Sequence, residues 1–419
     1  MKNVIDALVE RGFIDQMTHP ELRDKVKEPL KVYVGFDPTA DSLHLGNLVG
    51  IMGLAWFQKF GHTPFIILGG ATGRIGDPSG KSTERSFLDD VTLAGNVRAI
   101  DHFFHQVLKG SPKPVILNNN DWLGSMSLVD FLRDVGKHFR IGPMMGKEMV
   151  RTRMVSEEGM SFTEFSYQLL QGYDFYYLHK KYGVTLEMGG SDQWGNITAG
   201  IELNRKLGGE AVYGVTWPLL TRSDGKKFGK SEEGAIWLSS DKLSPYQFYQ
   251  YLVRVSDADV IRLLKMLTFL GMDEIHAIEK EMGSAPNIAQ KRLAEEVTRF
   301  VHGEEGLEAA LRVTEGMAPG SEAKITGSTL EALAGDMPSA SLKYDEVVGQ
   351  KYVDIAARVA LVPSKSEGVR LVKNGGAYLN NERISDPTFS ISPGDLIEGA
   401  YLLLSAGKKK RMLITISKN

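Results

Sequence analysis

The sequence contains no cysteine. That absence excludes disulfides, thiol nucleophiles and thiolate zinc sites, and several enzyme classes with them, before any motif is considered. There is also no uninterrupted apolar run of about 18 residues, the minimum for a membrane-spanning helix, although 42% of the 419 residues are hydrophobic. The stretch from Met1 to Met17 alternates charged and apolar residues at helical spacing and lacks the continuous apolar centre of a secretory signal. The expectation is a cytoplasmic protein with no membrane partner. Repeats and low-complexity tracts are missing too, and no Ser–His–Asp or Cys–His set stands out.

What is present is enough chain for two or three compact units, with an uneven charge. The net charge is −3, yet the segment from Lys351 onward holds eleven Lys and Arg against six Asp and Glu. A basic end of this kind suits a polyanion, although taken alone it also suits a solvated surface. From Lys31 to about Leu220, short apolar runs alternate with amphipathic stretches, the pattern of a parallel sheet with crossover helices. The strands are expected at Val32–Phe36, Pro64–Gly69, Val115–Asn118, Thr185–Met188 and Trp217–Thr221. After Ser244-Pro245, a cap followed by a first-turn proline, helical periodicity runs to about Gly316. The fold class is therefore α/β, with a parallel-sheet domain over 1–222, a lysine-rich loop and connector over 223–243 and a helical domain over 244–317. A Gly/Ala/Ser/Pro-rich linker over 318–341 then leads to a small α+β unit over 342–419. In that last unit Ser366–Lys373 reads as a helix, and Tyr378-Leu379 and Arg383-Ile384 as two strands around Asn380-Asn381.

Two segments carry phosphate chemistry. The first runs Tyr33-Val-Gly35-Phe-Asp37-Pro-Thr39 and on to His44-Leu-Gly46-Asn47, a strand that breaks into a loop and opens a helix. Glycine at 46 permits close approach of a ligand, free N–H groups at a helix start favour phosphate, and His44 and Asn47 lie one turn apart. The second, Ser223-Asp-Gly-Lys226-Lys227-Phe-Gly-Lys230-Ser231, puts repeated ammonium groups on a glycine loop, which suits the spreading charge of a pyrophosphate leaving group. Between them, Gly76-Asp-Pro-Ser-Gly80-Lys81-Ser82 imitates a P-loop. It has three residues between its glycines where that motif has four, and Ile75 where the first glycine belongs, so a P-loop ATPase is rejected.

A polar stripe follows on the helix opened by Ser161 and Glu164, where Tyr167, Gln171 and Asp174 fall at i, i+4 and i+7 and share a face. Further on, Met188-Gly-Gly190-Ser-Asp192-Gln193 ends a strand in paired glycines at the carboxyl edge of the sheet, where ligands of open parallel sheets bind.

The histidine and lysine segments resemble the paired signatures of the class I aminoacyl-tRNA synthetases, with Asn47 where a second histidine is common and Phe228-Gly229 in place of Met-Ser. Together with the stripe, and with a C-terminal segment from Pro363 to Ile384 that resembles the "S-four" RNA-binding module, the chain is similar over nearly its whole length to the bacterial-type tyrosyl-tRNA synthetases. That resemblance implies a Rossmann-like catalytic domain, a helical tRNA-contacting domain and a C-terminal RNA-binding domain. It implies pyrophosphate and triphosphate roles for His44, Asn47, Lys227, Lys230 and Ser231, with Lys81 and Arg85 on a closing loop. ATP contacts follow at Gly35, Asp37, Thr39, His44, Gly46, Gly190, Asp192 and Lys230. For the amino acid it implies Tyr33 and Asp174 at the phenolic hydroxyl, Tyr167, Gln171 and Asp77 at the ammonium, and Gln193 toward the carboxylate. The implied partners are tyrosine, ATP with its magnesium, the cognate tRNA and a second copy of the chain, with no DNA and no protein-bound metal. Two rivals stay open: a tryptophanyl-tRNA synthetase, which shares both signatures, and an RNA-binding protein on a synthetase scaffold that no longer activates an amino acid.

Overall fold

The computed structural model describes residues 2–80, 87–231, 234–316, 325–327, 330, 337–407 and 410–417, apart from the side chains of 230 and 231. The chain forms two compact units, Met1–Leu243 with Tyr251–Val301, and Ser244–Gln250 with His302–Asn419.

The first unit is built on a six-stranded sheet of β1 (Gln16–Met17), β2 (Lys31–Phe36), β3 (Thr63–Leu68), β4 (Val115–Asn118), β5 (Leu186–Gly190) and β6 (Tyr213–Trp217), in the spatial order β1-β6-β5-β2-β3-β4. All neighbours pair in parallel except β1, which runs antiparallel to β6. Every residue of β5 and β6 is buried, as a parallel sheet covered on both faces requires. The helix Leu48–Lys59 is buried from Leu48 to Gln58, which is why its sequence is apolar on all sides.

One expected strand needs correction. The run Trp217–Thr221 is not a strand; β6 occupies Tyr213–Trp217. Pro218 has no N–H to give to a ladder, whereas Val215 and Thr216 are fully buried between β5 and β1. Likewise β5 extends beyond Met188 to Gly190, paired with Trp217.

The helices Asp257–Leu267 and Met272–Glu281 belong to this first unit. Arg11, 4% exposed, ties them to it: its guanidinium donates to the carbonyl oxygens of Lys265 (2.7 Å), Thr268 (2.8 Å) and Leu270 (2.8 Å). The carbonyls of Lys265 and Thr268 are among those that the end of the Asp257–Leu267 helix leaves without intrahelical partners. The long helix Phe162–Tyr182 starts as expected, with Ser161 Oγ accepting from the Glu164 N–H at 3.2 Å, and it ends at Gly183 in the left-handed conformation, φ 70°. The Glu164 carboxylate is buried against Arg153 at 2.6 Å. Ser161→Ala is expected to lower stability by about 1 kcal/mol, read as a shift of the denaturation midpoint, with Ser161→Thr close to wild type.

The second unit contains a five-stranded sheet ordered β11 (Glu382–Arg383), β10 (Ala377–Leu379), β12 (Tyr401–Ala406), β13 (Lys410–Ser417), β9 (Ser339–Lys343). Asn380 and Asn381 turn the β10–β11 hairpin with φ of 49° and 68°, the two positive values that a two-residue turn needs and that asparagine tolerates. The expected linker lies largely outside the described residues, and its last residues from Ser339 onward form β9, parallel to β13. Among the described residues no helix is long and apolar enough to cross a membrane.

Candidate functional site

Strand β2 has β3 on one side and β5 on the other, so the sheet grows in opposite directions from it, and a crevice opens above the carboxyl ends of β2 and β5. A cavity of about 650 Å³ occupies that position.

At its inner end stands Asp174, 4% exposed. Trp122 Nε1 donates to its Oδ1 at 2.7 Å and Asn119 Nδ2 to its Oδ2 at 2.9 Å. Asn119 also donates to Thr72 Oγ1 at 2.9 Å and accepts from the Ala71 N–H at 2.8 Å, so its amide has one orientation only. Burial pushes the Asp174 carboxyl up to about 7, against the two hydrogen bonds that hold it down. Beside it, the Tyr33 hydroxyl is buried and has no hydrogen-bond partner, and the Tyr33 ring packs edge-on against Phe175 at 5.3 Å between centroids.

A second acid, Glu187 of β5, is 2% exposed and accepts from Gln171 Nε2 at 2.9 Å. Burial, with a contribution from Asp174, pushes its carboxyl up to about 8. Above these groups the network continues: Asn196 Nδ2 donates to Gln171 Oε1 at 3.0 Å, Gln193 Nε2 donates to Asp77 Oδ2 at 2.7 Å, and the Ser79 N–H donates to Asp77 Oδ1 at 3.0 Å. Tyr167 donates to Asp37 Oδ2 at 2.9 Å and Thr72 to Asp37 Oδ1 at 2.7 Å, so Asp37 is held from two sides.

The outer end of the cavity joins the two distant motifs. The backbone pairs Leu45 N–H with the Ile236 carbonyl at 2.8 Å and Leu238 N–H with the Leu43 carbonyl at 2.9 Å, which carries the lysine loop to the histidine loop. Gly229, at φ +83°, passes so close that a Cβ there would lie 3.0 Å from Gly46 N. The loop itself turns at Gly225 and closes as a small hairpin of β7 (Lys230–Ser231) and β8 (Gly234–Ala235). Lys227 reaches across to the Gly80 carbonyl at 3.4 Å.

Gly46 lines the cavity and also meets a need of the histidine beside it. A Cβ at Gly46 would lie 2.9 Å from His44 Cε1, so the glycine makes room for the histidine ring, and its N–H donates to His44 Nδ1 at 3.1 Å. Asn47 spends its side-chain oxygen on the His44 N–H at 3.0 Å, so the remaining hydrogen-bonding group of that side chain is its NH2. At Gly35 a Cβ would meet no protein atom within 4 Å, so the space beside it is open to a ligand. At Gly190 a Cβ would lie 2.6 Å from Asp192 Oδ1, and Asp192, its carboxyl raised by burial and by Asp77, faces the cavity.

The cavity thus brings together Tyr33, Gly35, Asp37, Thr39, His44, Gly46 and Asn47 with Asp77, Tyr167, Gln171, Asp174, Gly190, Asp192, Gln193 and Lys227. Lys81 and Arg85 lie outside the described residues. Lys230 and Ser231 are placed by their backbone, in β7. Sequence reasoning missed Thr72, Asn119, Trp122, Glu187 and Asn196. Only Glu187 carried a local signal, an acid inside an otherwise apolar strand. Among the described residues no group of three or more His, Asp or Glu is arranged to hold a metal ion.

Comparison with known proteins shows the family of the chain. Residues 25–317 match the family model of class I tRNA synthetases (W and Y), and residues 329–414 match that of the tyrosine–tRNA ligase SYY-like C-terminal domain. The chain is 57% identical over 422 residues to a tyrosine–tRNA ligase of Protochlamydia amoebophila, covering 99% of each. It is 53% identical over 428 residues to a chloroplastic/mitochondrial tyrosine–tRNA ligase of Arabidopsis thaliana, covering 99% of this chain and 84% of that one. Among solved structures, a C-terminally truncated mitochondrial tyrosyl-tRNA synthetase of Aspergillus nidulans superposes with a TM-score of 0.64 at 33% identity, covering 74% of this chain and 92% of the other.

Proposed function

From the premise that this chain belongs to the class I tRNA synthetase family as a tyrosine–tRNA ligase, we propose how its cavity divides between tyrosine and ATP. The enzyme activates tyrosine with ATP to the adenylate and then transfers it to the terminal adenosine of its tRNA.

The phenolic hydroxyl of tyrosine goes between Tyr33 and Asp174, the ammonium to Asp77, Tyr167 and Gln171, and the carboxylate toward Gln193. The observation that carries this placement is the buried Asp174 carboxylate, already fixed by Trp122 and Asn119, beside the unpartnered Tyr33 hydroxyl. It is a polar socket for one hydroxyl inside an aromatic cluster of Tyr33, Phe65, Trp122 and Phe175. A substrate without that hydroxyl leaves the buried Tyr33 O–H without a partner in the pocket and the buried Asp174 carboxylate one donor short, which costs binding free energy. ATP takes the outer end, with its ribose at Asp192, its nucleoside portion against Gly35, Asp37, Thr39, Gly46 and Gly190, and its phosphates between His44, Asn47, Lys227, Lys230 and Ser231. Lys81 and Arg85 are assigned to the triphosphate as well, and magnesium arrives with the ATP.

The tyrosine carboxylate is ionised at neutral pH and needs no general base. One carboxylate oxygen bonds to the α-phosphorus as the bond from that phosphorus to the pyrophosphate oxygen breaks. The site therefore works by alignment and by stabilising charge on the phosphates. The second unit, with exposed Lys365, Arg370 and Lys373 on one short helix, takes the tRNA through phosphate contacts.

The chain acts as a homodimer. Support comes from Leu128, Val129, Ile141, Val155 and Phe162, each at least 60% exposed within one stretch of sequence, since exposed large apolar groups mark contact surfaces. We place the enzyme in the cytoplasm. Tyrosine-dependent exchange of labelled pyrophosphate into ATP, with phenylalanine and tryptophan in parallel, tests the pocket. Exchange with tyrosine alone is expected, and exchange driven by tryptophan would overturn the assignment.

A further inference from the structure

Glu187 is a buried acid to which the reading above gives no task. It sits in β5 with Tyr33 of β2 as its register partner on one side and Gly214 of β6 on the other. Register partners in a sheet project to the same face, and both Glu187 and Tyr33 line the cavity. The polar and titratable groups facing Glu187 are Tyr33 from β2 and Gln171 and Asp174 from the Phe162–Tyr182 helix; β6 presents only Gly214. Gln171 donates to Glu187 Oε1. The other oxygen, Oε2, and the Tyr33 hydroxyl are both buried without a hydrogen-bond partner, although each shifts the other's titration. Two adjacent buried polar atoms, each left over after every other bond is made, call for one another, because an unpaired polar atom in the interior is costly.

The direction of that bond matters. We infer that Glu187 is a positioning residue for the tyrosine pocket: as a neutral acid it donates from Oε2 to the Tyr33 hydroxyl oxygen, which turns the Tyr33 O–H outward to donate to the phenolic oxygen of bound tyrosine. The phenol then donates its own O–H to the Asp174 carboxylate as a hydrogen bond, and every donor in the row has one acceptor. The inference rests on the placement of the phenol between Tyr33 and Asp174 proposed above. With Oε1 accepting from Gln171, the acid proton belongs on Oε2, and burial keeps that proton in place at neutral pH. Ionisation of Glu187 reverses the row. Tyr33 then donates inward to the carboxylate, and Tyr33 and Asp174 both present lone pairs to a phenol that has one proton.

The test compares wild type with E187Q, E187M and Y33F in tyrosine-dependent pyrophosphate exchange from pH 6.5 to 9.5, with kcat and KM for tyrosine read separately. Glutamine reproduces the neutral acid, accepting from Gln171 and donating to Tyr33, but does not titrate. The ratio of wild-type to E187Q KM, in which the ionisation of free tyrosine cancels, is expected to rise from near one at pH 6.5 to about ten at pH 9.5, with kcat much less affected; one lost hydrogen bond is worth about that factor. E187M raises KM at all pH values, and E187Q rescues what E187M loses. A flat ratio overturns the inference, as does an E187M enzyme with wild-type KM at neutral pH. If E187M does not fold, the E187Q ratio decides alone. Y33F separates the two levels: a raised KM with a flat ratio removes the role of Glu187 only, whereas an unchanged KM in Y33F removes the placement of the phenol itself.

Discussion

Asp174→Asn is expected to lower kcat/KM for tyrosine by roughly 10²–10³-fold. The reason lies in the donors around the side chain. Trp122 Nε1 and Asn119 Nδ2 both point at Asp174, and the Asn119 amide cannot turn because Ala71 and Thr72 hold it. A carboxylate accepts from both and still has lone pairs for a phenol. An amide has two N–H groups, and whichever way it turns they meet Trp122, Asn119 or the substrate, all of them donors. Steady-state exchange with tyrosine measures the loss; a variant within threefold of wild type would remove Asp174 from the pocket. The same residue sets a pH dependence. Its carboxyl is raised by burial to about 7 in the folded enzyme, above the ordinary aspartate value of about 4 in the unfolded chain. The folded state therefore retains a proton that the unfolded chain releases, and this contribution to stability is fully present below about pH 4 and lost as pH rises through about 7, to the extent of up to about 4 kcal/mol. Tyrosine affinity runs the other way, since the ionised form is the acceptor. Thermal midpoints of the tyrosine-free enzyme that fall across this window, with KM for tyrosine falling alongside, are the expected pair of results.

His44→Ala is expected to reduce kcat for exchange by about 10²-fold, the usual effect of removing one donor aimed at developing charge, and to leave KM for tyrosine within about twofold. Gly46 N–H donates to Nδ1 and Asn47 holds the His44 backbone, so the ring proton is on Nε2 and the ring has a fixed direction. Both effects follow from position: His44 is at the outer end of the cavity, away from the Asp174 end where tyrosine is read. Pre-steady-state adenylate formation separates the outcomes, and a rise in KM for tyrosine with unchanged kcat would show that the histidine binds the amino acid instead. Gly46→Ala tests the same point indirectly, because its Cβ would meet the ring at 2.9 Å and must displace it.

Much of the molecule was legible along the chain. The strand Lys31–Phe36, the loop to Asn47 and the helix after it form one local unit, as do the capped helix Phe162–Tyr182 and the Asn380-Asn381 hairpin. Such units are written in consecutive residues because their hydrogen bonds and turn conformations involve near neighbours. The failure at Trp217–Thr221 shows the limit from the other side: apolar content suggested a strand, and Pro218 one residue later decided where it ended.

By itself, then, the sequence determined the parallel-sheet class, the two phosphate motifs and the polar stripe at Tyr167, Gln171 and Asp174, since each is a pattern of spacing. Tertiary structure alone decided which of these face one another. The pairing of residues 43–45 with 236–238 closes the distance between the histidine and lysine loops. The amide of Asn119 aims at Asp174 from a different strand end, and the Glu187 carboxyl is pushed up only because β2, β6 and the Phe162–Tyr182 helix shut water away from it. The physical reason is common to all three: hydrogen-bond partners and desolvation are properties of what surrounds a side chain, and the surroundings come from residues far away along the chain.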